Sequence, residues 1–120
     1  MQLTANQIRC LLAILSLTRL DKAVASKNVA RLMGITRPSA HKALDTLLGK
    51  QLIEKEHYGA VTLTKEGLAI AERLEERKER LQLMFARRFG LAMDESSTAA
   101  VLLMSELREE SLQALERADQ

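Results

Sequence analysis

Along most of this chain apolar residues recur every three to four positions, and in one short stretch they alternate with polar ones. Ile8, Leu11, Leu12 and Leu15 follow the i, i+3, i+4, i+7 spacing of one helix face, and Thr4 stands where an N-cap belongs. A first helix is therefore expected from about Thr4 to about Arg19. Ser26 can cap a second helix whose apolar face is Val29, Ala30, Leu32 and Met33. Gly34 follows where a helix C-terminus favours a residue tolerant of positive φ, and Ile35 can turn back into the core. Pro38 fits the first turn of a third helix starting near Arg37, because Pro there loses no intrahelical hydrogen bond and has its φ already set. Its buried face would be Ala40, Ala43, Leu44 and Leu47.

From Gln51 the period changes. The segment "LIEKEHYGAVTLT" predicts two short strands, about 52–56 and 60–64, joined by a turn at "HYG" with Gly59 in it. Thr64 is then an N-cap for a long helix to about Arg88, with Leu68, Ala71, Leu74, Leu81, Met84 and Phe85 on one side and Gly90 as its stop. Asp94, Ser96 or Ser97 can cap one last helix carrying Ala100, Leu103, Met104, Leu107 and Leu115. Within it, "AAVLLM" at 99–104 is apolar nearly all round, which calls for partners on more than one side. A second copy of the chain is the expected cover.

At 120 residues and 47% hydrophobic, the chain suffices for one compact domain, or a small domain with a dimerisation arm, but not for two large cores. Two Phe, one Tyr and no Trp leave the core to aliphatic residues, which suits helices. The single Cys cannot form an intramolecular disulfide, no apolar run approaches the roughly 20 residues of a membrane span, and "MQLTANQIRC" lacks a secretory layout. A cytoplasmic protein without membrane partners is expected.

The net charge of +2 conceals an asymmetry. Residues 1–65 hold ten Lys and Arg against four Asp and Glu, net +6, whereas residues 66–120 hold eight against twelve, net −4. A basic first half points to a polyanionic partner.

Helix, helix, tight turn, helix and hairpin in that order is the winged helix-turn-helix pattern. The fold class expected is mainly α with a small β-hairpin, residues 1–66 forming a DNA-binding domain and 67–120 a two-helix dimerisation region. In such a domain the third helix presents its solvent side to the major groove while the hairpin reaches along the backbone. If Ala40, Ala43, Leu44 and Leu47 face inward, the turn residue Thr36 and then Arg37, Pro38, Ser39, His41, Lys42 and Asp45 or Thr46 are left outside. Arg37 and Lys42 suit guanine or phosphate contacts. Ser39 and the amides near Ser26 and Lys27 suit phosphate, since helix N-termini carry free N–H groups and a positive dipole end. Lys55, His57 and Tyr58 would serve the wing.

The segment "SKNVARLMGITRPSAHKALDTLLGKQLIEKEHYGAVTLTKEGLAIAERL", followed by "ERLQLMFARRFGL", resembles the diphtheria-toxin-repressor-like family of iron- and manganese-dependent transcriptional repressors, in a short form without the C-terminal third domain. The likeness covers about residues 4–115; the helix-turn-helix and "LTKEG" parts are shared with the multiple-antibiotic-resistance regulators. It implies a homodimer that binds DNA when Fe²⁺ or Mn²⁺ occupies a site between the first, fourth and fifth helices. The positions it assigns to ligands hold Asn6, Arg9, Lys78, Gln82, Ser97, Val101, Met104 and Ser105, none of them His, Asp, Glu or Cys. The ligand positions are thus lost, no metal or other cofactor is expected, and Arg9 and Lys78 could replace the cation by pairing with carboxylates such as Glu106.

Cys10 reads as a small buried hydrophobe, and His41 and His57 with one Cys do not make a zinc site. No phosphate loop, nucleophile elbow or metal motif of an enzyme is present, so catalysis is not expected. The function expected is a homodimeric DNA-binding transcription regulator acting on a pseudo-palindromic operator without a metal corepressor. A metal-gated repressor with an unconventional site, a small-molecule-gated regulator and a winged-helix protein-interaction module remain as alternatives.

Overall fold

A computed structural model describes residues 2–21 and 23–120. Among these residues the order is α1 (Ala5–Arg19), α2 (Ser26–Met33), α3 (Arg37–Gly49), β1 (Ile53–Lys55), β2 (Val61–Leu63), α4 (Lys65–Phe89), α5 (Met93–Glu106) and α6 (Glu109–Ala118). The fold is mainly α with one antiparallel hairpin, as the periodicities predict. Two compact units divide the chain: Asn6–Arg73, and Leu74–Gln120 with the N-terminal residues through Ala5.

In the first unit α1 is buried on more than the one face expected, with Cys10, Ala13, Ile14 and Leu17 inside as well as Ile8, Leu11 and Leu15. Helix α2 packs on α3, and α3 on β1. Ser26 is the first residue of α2 rather than its cap: Ala25 occupies the cap position and makes no side-chain bond there. Val29 and Ala30 form the buried face, whereas Leu32 is 53% exposed.

Both ends of the segment around α3 close in the same way. At Gly34 (φ 69°) the N–H donates to the Arg31 carbonyl, and the Ile35 N–H reaches back to Ala30. At Gln51 (φ 61°) the N–H donates to Leu48, and the Leu52 N–H to Leu47. These paired bonds satisfy the last carbonyls of a helix and need a left-handed residue at the bend. Glycine supplies it at the first bend; at the second a glutamine does so at a steric cost.

The hairpin pairs Ile53 with Leu63 and Lys55 with Val61. It is tied in at both ends, since the Val61 N–H donates to Val24 and the Thr64 N–H to Leu52. Thr64 caps α4 as expected, its Oγ1 accepting the Gly67 N–H at 2.9 Å.

In the second unit Leu81, Met84, Ala100, Val101, Met104 and Leu112 are buried along with Leu3. Leu74 and Phe85 are half-buried, and on the first-unit part of α4 the expected core residue Leu68 is 41% exposed. The single last helix expected is two helices. Leu107 (ψ 149°) and Arg108 (ψ 160°) are extended, and neither a Gly nor a Pro marks the break. Arg77 on α4 explains it: its guanidinium takes both oxygens of Glu109 at 2.8 and 2.7 Å and reaches Glu116 at 3.2 Å. Arg80 also reaches Glu116, at 3.0 Å, and Arg87 and Arg88 hold Asp119 at 3.0 and 2.6 Å. This seam along α6 is ionic, so a charged helix can follow a straight one at an angle the sequence pattern does not announce. Nor do Asp94, Ser96 and Ser97 cap α5, whose cap position is Ala92 without a side-chain bond.

Candidate nucleic-acid interface

Helix α3 sorts its residues cleanly. Ala40, Ala43, Leu44 and Leu47 are buried, the four expected, and Arg37, Pro38, Ser39, His41, Lys42 and Asp45 are exposed. Two alanines among the four let the helix backbone lie close to its neighbours, so that the outer side stands clear of them. Thr36 caps the helix: its Oγ1 accepts the Ser39 N–H at 3.3 Å and donates to Ser39 Oγ at 2.9 Å. Pro38 sits in the first turn beside it. The Thr46 hydroxyl donates to the Lys42 carbonyl at 3.0 Å, which leaves it only acceptor capacity outward.

On α2, Lys27 is exposed and Ser26 half-buried, both in the first turn where the backbone N–H groups are free of helical partners. Arg31, which the sequence reading did not single out, is a further exposed cation in the last turn of this helix. Its charge was legible; its exposure was not.

At the wing, the Gly59 N–H donates to the Glu56 carbonyl at 2.9 Å and the Glu56 N–H to Ala60 at 2.7 Å. Gly59 has φ 83°, whereas His57 and Tyr58 keep negative φ. That is the three-residue hairpin loop in which a turn is followed by a left-handed glycine. It lifts His57 and Tyr58 to the apex, their rings edge to face with centroids 5.5 Å apart. Tyr58 is 95% exposed. Lys55 is exposed too, but Glu54 and Glu56 stand exposed on either side of it.

The positions that the resemblance assigns to metal ligands do not fit a divalent cation of the Mn²⁺ or Fe²⁺ kind, which takes carboxylate or imidazole donors. In the second unit two of these side chains are positioned by bonds of their own, Gln82 Nε2 donating to the Met93 carbonyl at 2.9 Å and Ser105 Oγ to the Leu102 carbonyl at 2.8 Å, and neither carries an anionic or imidazole donor. Among the described residues no group of three or more His, Cys, Asp or Glu could hold a metal ion. Among the described residues Lys78 makes no ion pair with Glu106; Glu109, Glu116 and Asp119 pair with arginines of α4.

Cys10 is fully buried, and burial pushes its thiol up to about 12, so it stays protonated and inert. Glu116 is only 16% exposed; burial alone would raise its carboxyl, but the hydrogen bonds from Arg77 and Arg80 prevail and hold it below its ordinary value. Arg77 is raised in turn, chiefly by its bond to Glu109. No helix among the described residues is long and apolar enough to cross a membrane.

No protein-family model matches the sequence, and no curated protein matches it. Solved structures do. The manganese regulator SloR is similar over 93% of this chain and 52% of its own, with a TM-score of 0.83 at 20% identity. The metal-dependent transcriptional regulator MtsR is similar over 97% and 54%, with a TM-score of 0.80 at 17% identity. The hypothetical protein SSo2273 from Sulfolobus solfataricus matches over 97% and 88%, with a TM-score of 0.69 at 16% identity. The chain spans about half the length of the two regulators. Its fold is therefore that of the metal-dependent transcriptional regulators, the fold that the resemblance of its sequence implied.

Proposed function

We propose that this chain is a sequence-specific, DNA-binding transcription regulator that acts as a cytoplasmic homodimer without a metal corepressor and catalyses no reaction. One observation carries the reading: α3 buries Ala40, Ala43, Leu44 and Leu47 and exposes Arg37, Ser39, His41 and Lys42, types that read base edges and hold phosphates. In this reading residues 1–66 meet the duplex, and Ser26, Lys27, Thr36, Pro38, Thr46, Lys55, His57 and Tyr58 complete the contact surface.

Residues 67–120 pair two chains. Leu83, Phe89, Leu91, Met93 and Leu102 are each more than a third exposed there, and a second copy would cover them. A two-fold dimer presents its α3 helices one duplex turn apart, about 34 Å, or a multiple of it, which calls for a pseudo-palindromic operator.

The absence of a metal requirement rests on the donor set. The names of the similar structures favour a second reading, a metal-gated repressor with an unconventional site. Selection of duplexes from a random pool, followed by anisotropy with chelator and with Mn²⁺, separates the two. Equal affinity supports the metal-free reading, affinity that rises with Mn²⁺ the metal-gated one, and no selected duplex overturns DNA binding itself.

A further inference from the structure

The wing tip is poorly built for holding phosphates. Its strand end carries Glu54, Lys55 and Glu56, all exposed, so the one cation is outnumbered by anions. Yet at its apex stands an aromatic ring that is 95% exposed in a chain with two Phe and no Trp. The Gly59 and Glu56 hydrogen bonds fix the turn that carries it, and the His57 ring stands perpendicular to the Tyr58 ring, centroids 5.5 Å apart.

An exposed aromatic ring at the end of a narrow loop suits the minor groove. That groove is about 6 Å wide, too narrow for a two-stranded ribbon but wide enough for a single ring, and apolar wedges enter it between base steps. We propose that Tyr58 is a minor-groove wedge, whose ring rather than whose hydroxyl contacts the duplex beside the major-groove site. The wedge rests on the DNA-binding reading above and adds to it a specificity of a different kind. It reads how easily a flanking step opens, whereas α3 reads base edges.

The composition supplies the probe. Tyr58 is the only Tyr and there is no Trp, so the intrinsic fluorescence of the unlabelled protein reports on this ring. The selected duplex is titrated into the full chain with absorption corrected, and anisotropy of the labelled duplex is followed in parallel. The expected result is quenching of Tyr58 along the same isotherm as the anisotropy. Tyr58→Ala should weaken binding about tenfold, within the range that aromatic–base stacking gives, and Tyr58→Phe should bind within about twofold of the parent. Binding with unchanged fluorescence, or with Tyr58→Ala equal to the parent, would overturn the wedge and leave the DNA-binding reading standing. Tyr58→Phe as weak as Tyr58→Ala would assign the contact to the hydroxyl and overturn it as well. Failure of the parent to bind any duplex would overturn both readings together.

Discussion

Gly67 lies against the backbone of Leu52 so closely that a Cβ on it would stand 1.8 Å from the Leu52 carbonyl oxygen and 2.8 Å from its carbonyl carbon. The same oxygen accepts the Thr64 N–H at 3.1 Å, so the first turn of α4 and the entry to the hairpin are joined through one peptide group. The obstacle is main chain and cannot swing aside. Gly67→Ala should therefore cost more than ordinary overpacking, at least about 3 kcal/mol. Urea unfolding measures it, and a loss below 1 kcal/mol would show that the contact relaxes.

Gln51 offers the opposite change. Its left-handed φ of 61° sits where a glycine normally closes a helix, and Gly49 lies two residues too early to serve. Gln51→Gly should stabilise by about 0.5 to 1 kcal/mol, the steric relief exceeding the added freedom of the unfolded chain. The corresponding Gly34→Ala should destabilise by about 1 kcal/mol or more for the same reason. Thermal unfolding of the two variants should move in opposite directions.

Acid should loosen α6. Glu116 is held below its ordinary 4.5 in the folded chain, so its contribution is fully present above 4.5 and is lost as pH falls through the lower folded value. Asp119, held down first by Arg88, behaves in the same sense below 3.8. Melting temperature should thus be flat near neutrality and fall below about pH 4.5. Arg77→Met removes the main partner of Glu109 and Glu116 and should lower stability by about 1 to 3 kcal/mol at pH 7. It should also shrink the acid dependence. A variant with the parent's pH profile would show that the seam contributes nothing.

Within the DNA-binding reading, Arg37 and Lys42 make separable contributions. Arg37 is in the first turn of α3, where a recognition helix meets base edges, so Arg37→Ala should cost about 1 to 3 kcal/mol on the selected duplex and far less on a random one. Lys42 suits a phosphate. Its alanine variant should weaken both duplexes alike and reduce the slope of log affinity against log salt by about one. Anisotropy over a salt series distinguishes the two patterns.

The first unit was largely legible in the sequence because its signals are local. Gly34 and Pro38 bracket α3, Thr64 opens α4, and the four inward residues of α3 follow from helical spacing alone. The errors have tertiary causes. Ser26 looks like a cap, but Ala25 takes that position; Leu32 and Leu68 look internal, but each is only partly covered. The break at Leu107–Arg108 is set by Arg77, thirty-two residues from Glu109 in sequence, and no nearby residue type reveals it. Of the interface, residue types and exposure on α3 were foreseeable; the acid pair beside Lys55 was in plain sight, but its meaning depended on the loop that raises Tyr58 above it.

The two-sided build of α3 also sets how this protein can diverge. The residues that hold the helix in place and those that face outward share no position, and the closing bends at Gly34 and Gln51 belong to neither set. Arg37, His41, Lys42 and Asp45 can be exchanged without disturbing a packed atom. Within the DNA-binding reading, the outer face is a replaceable cassette on a fixed mount, open to a change of target without a change of shape.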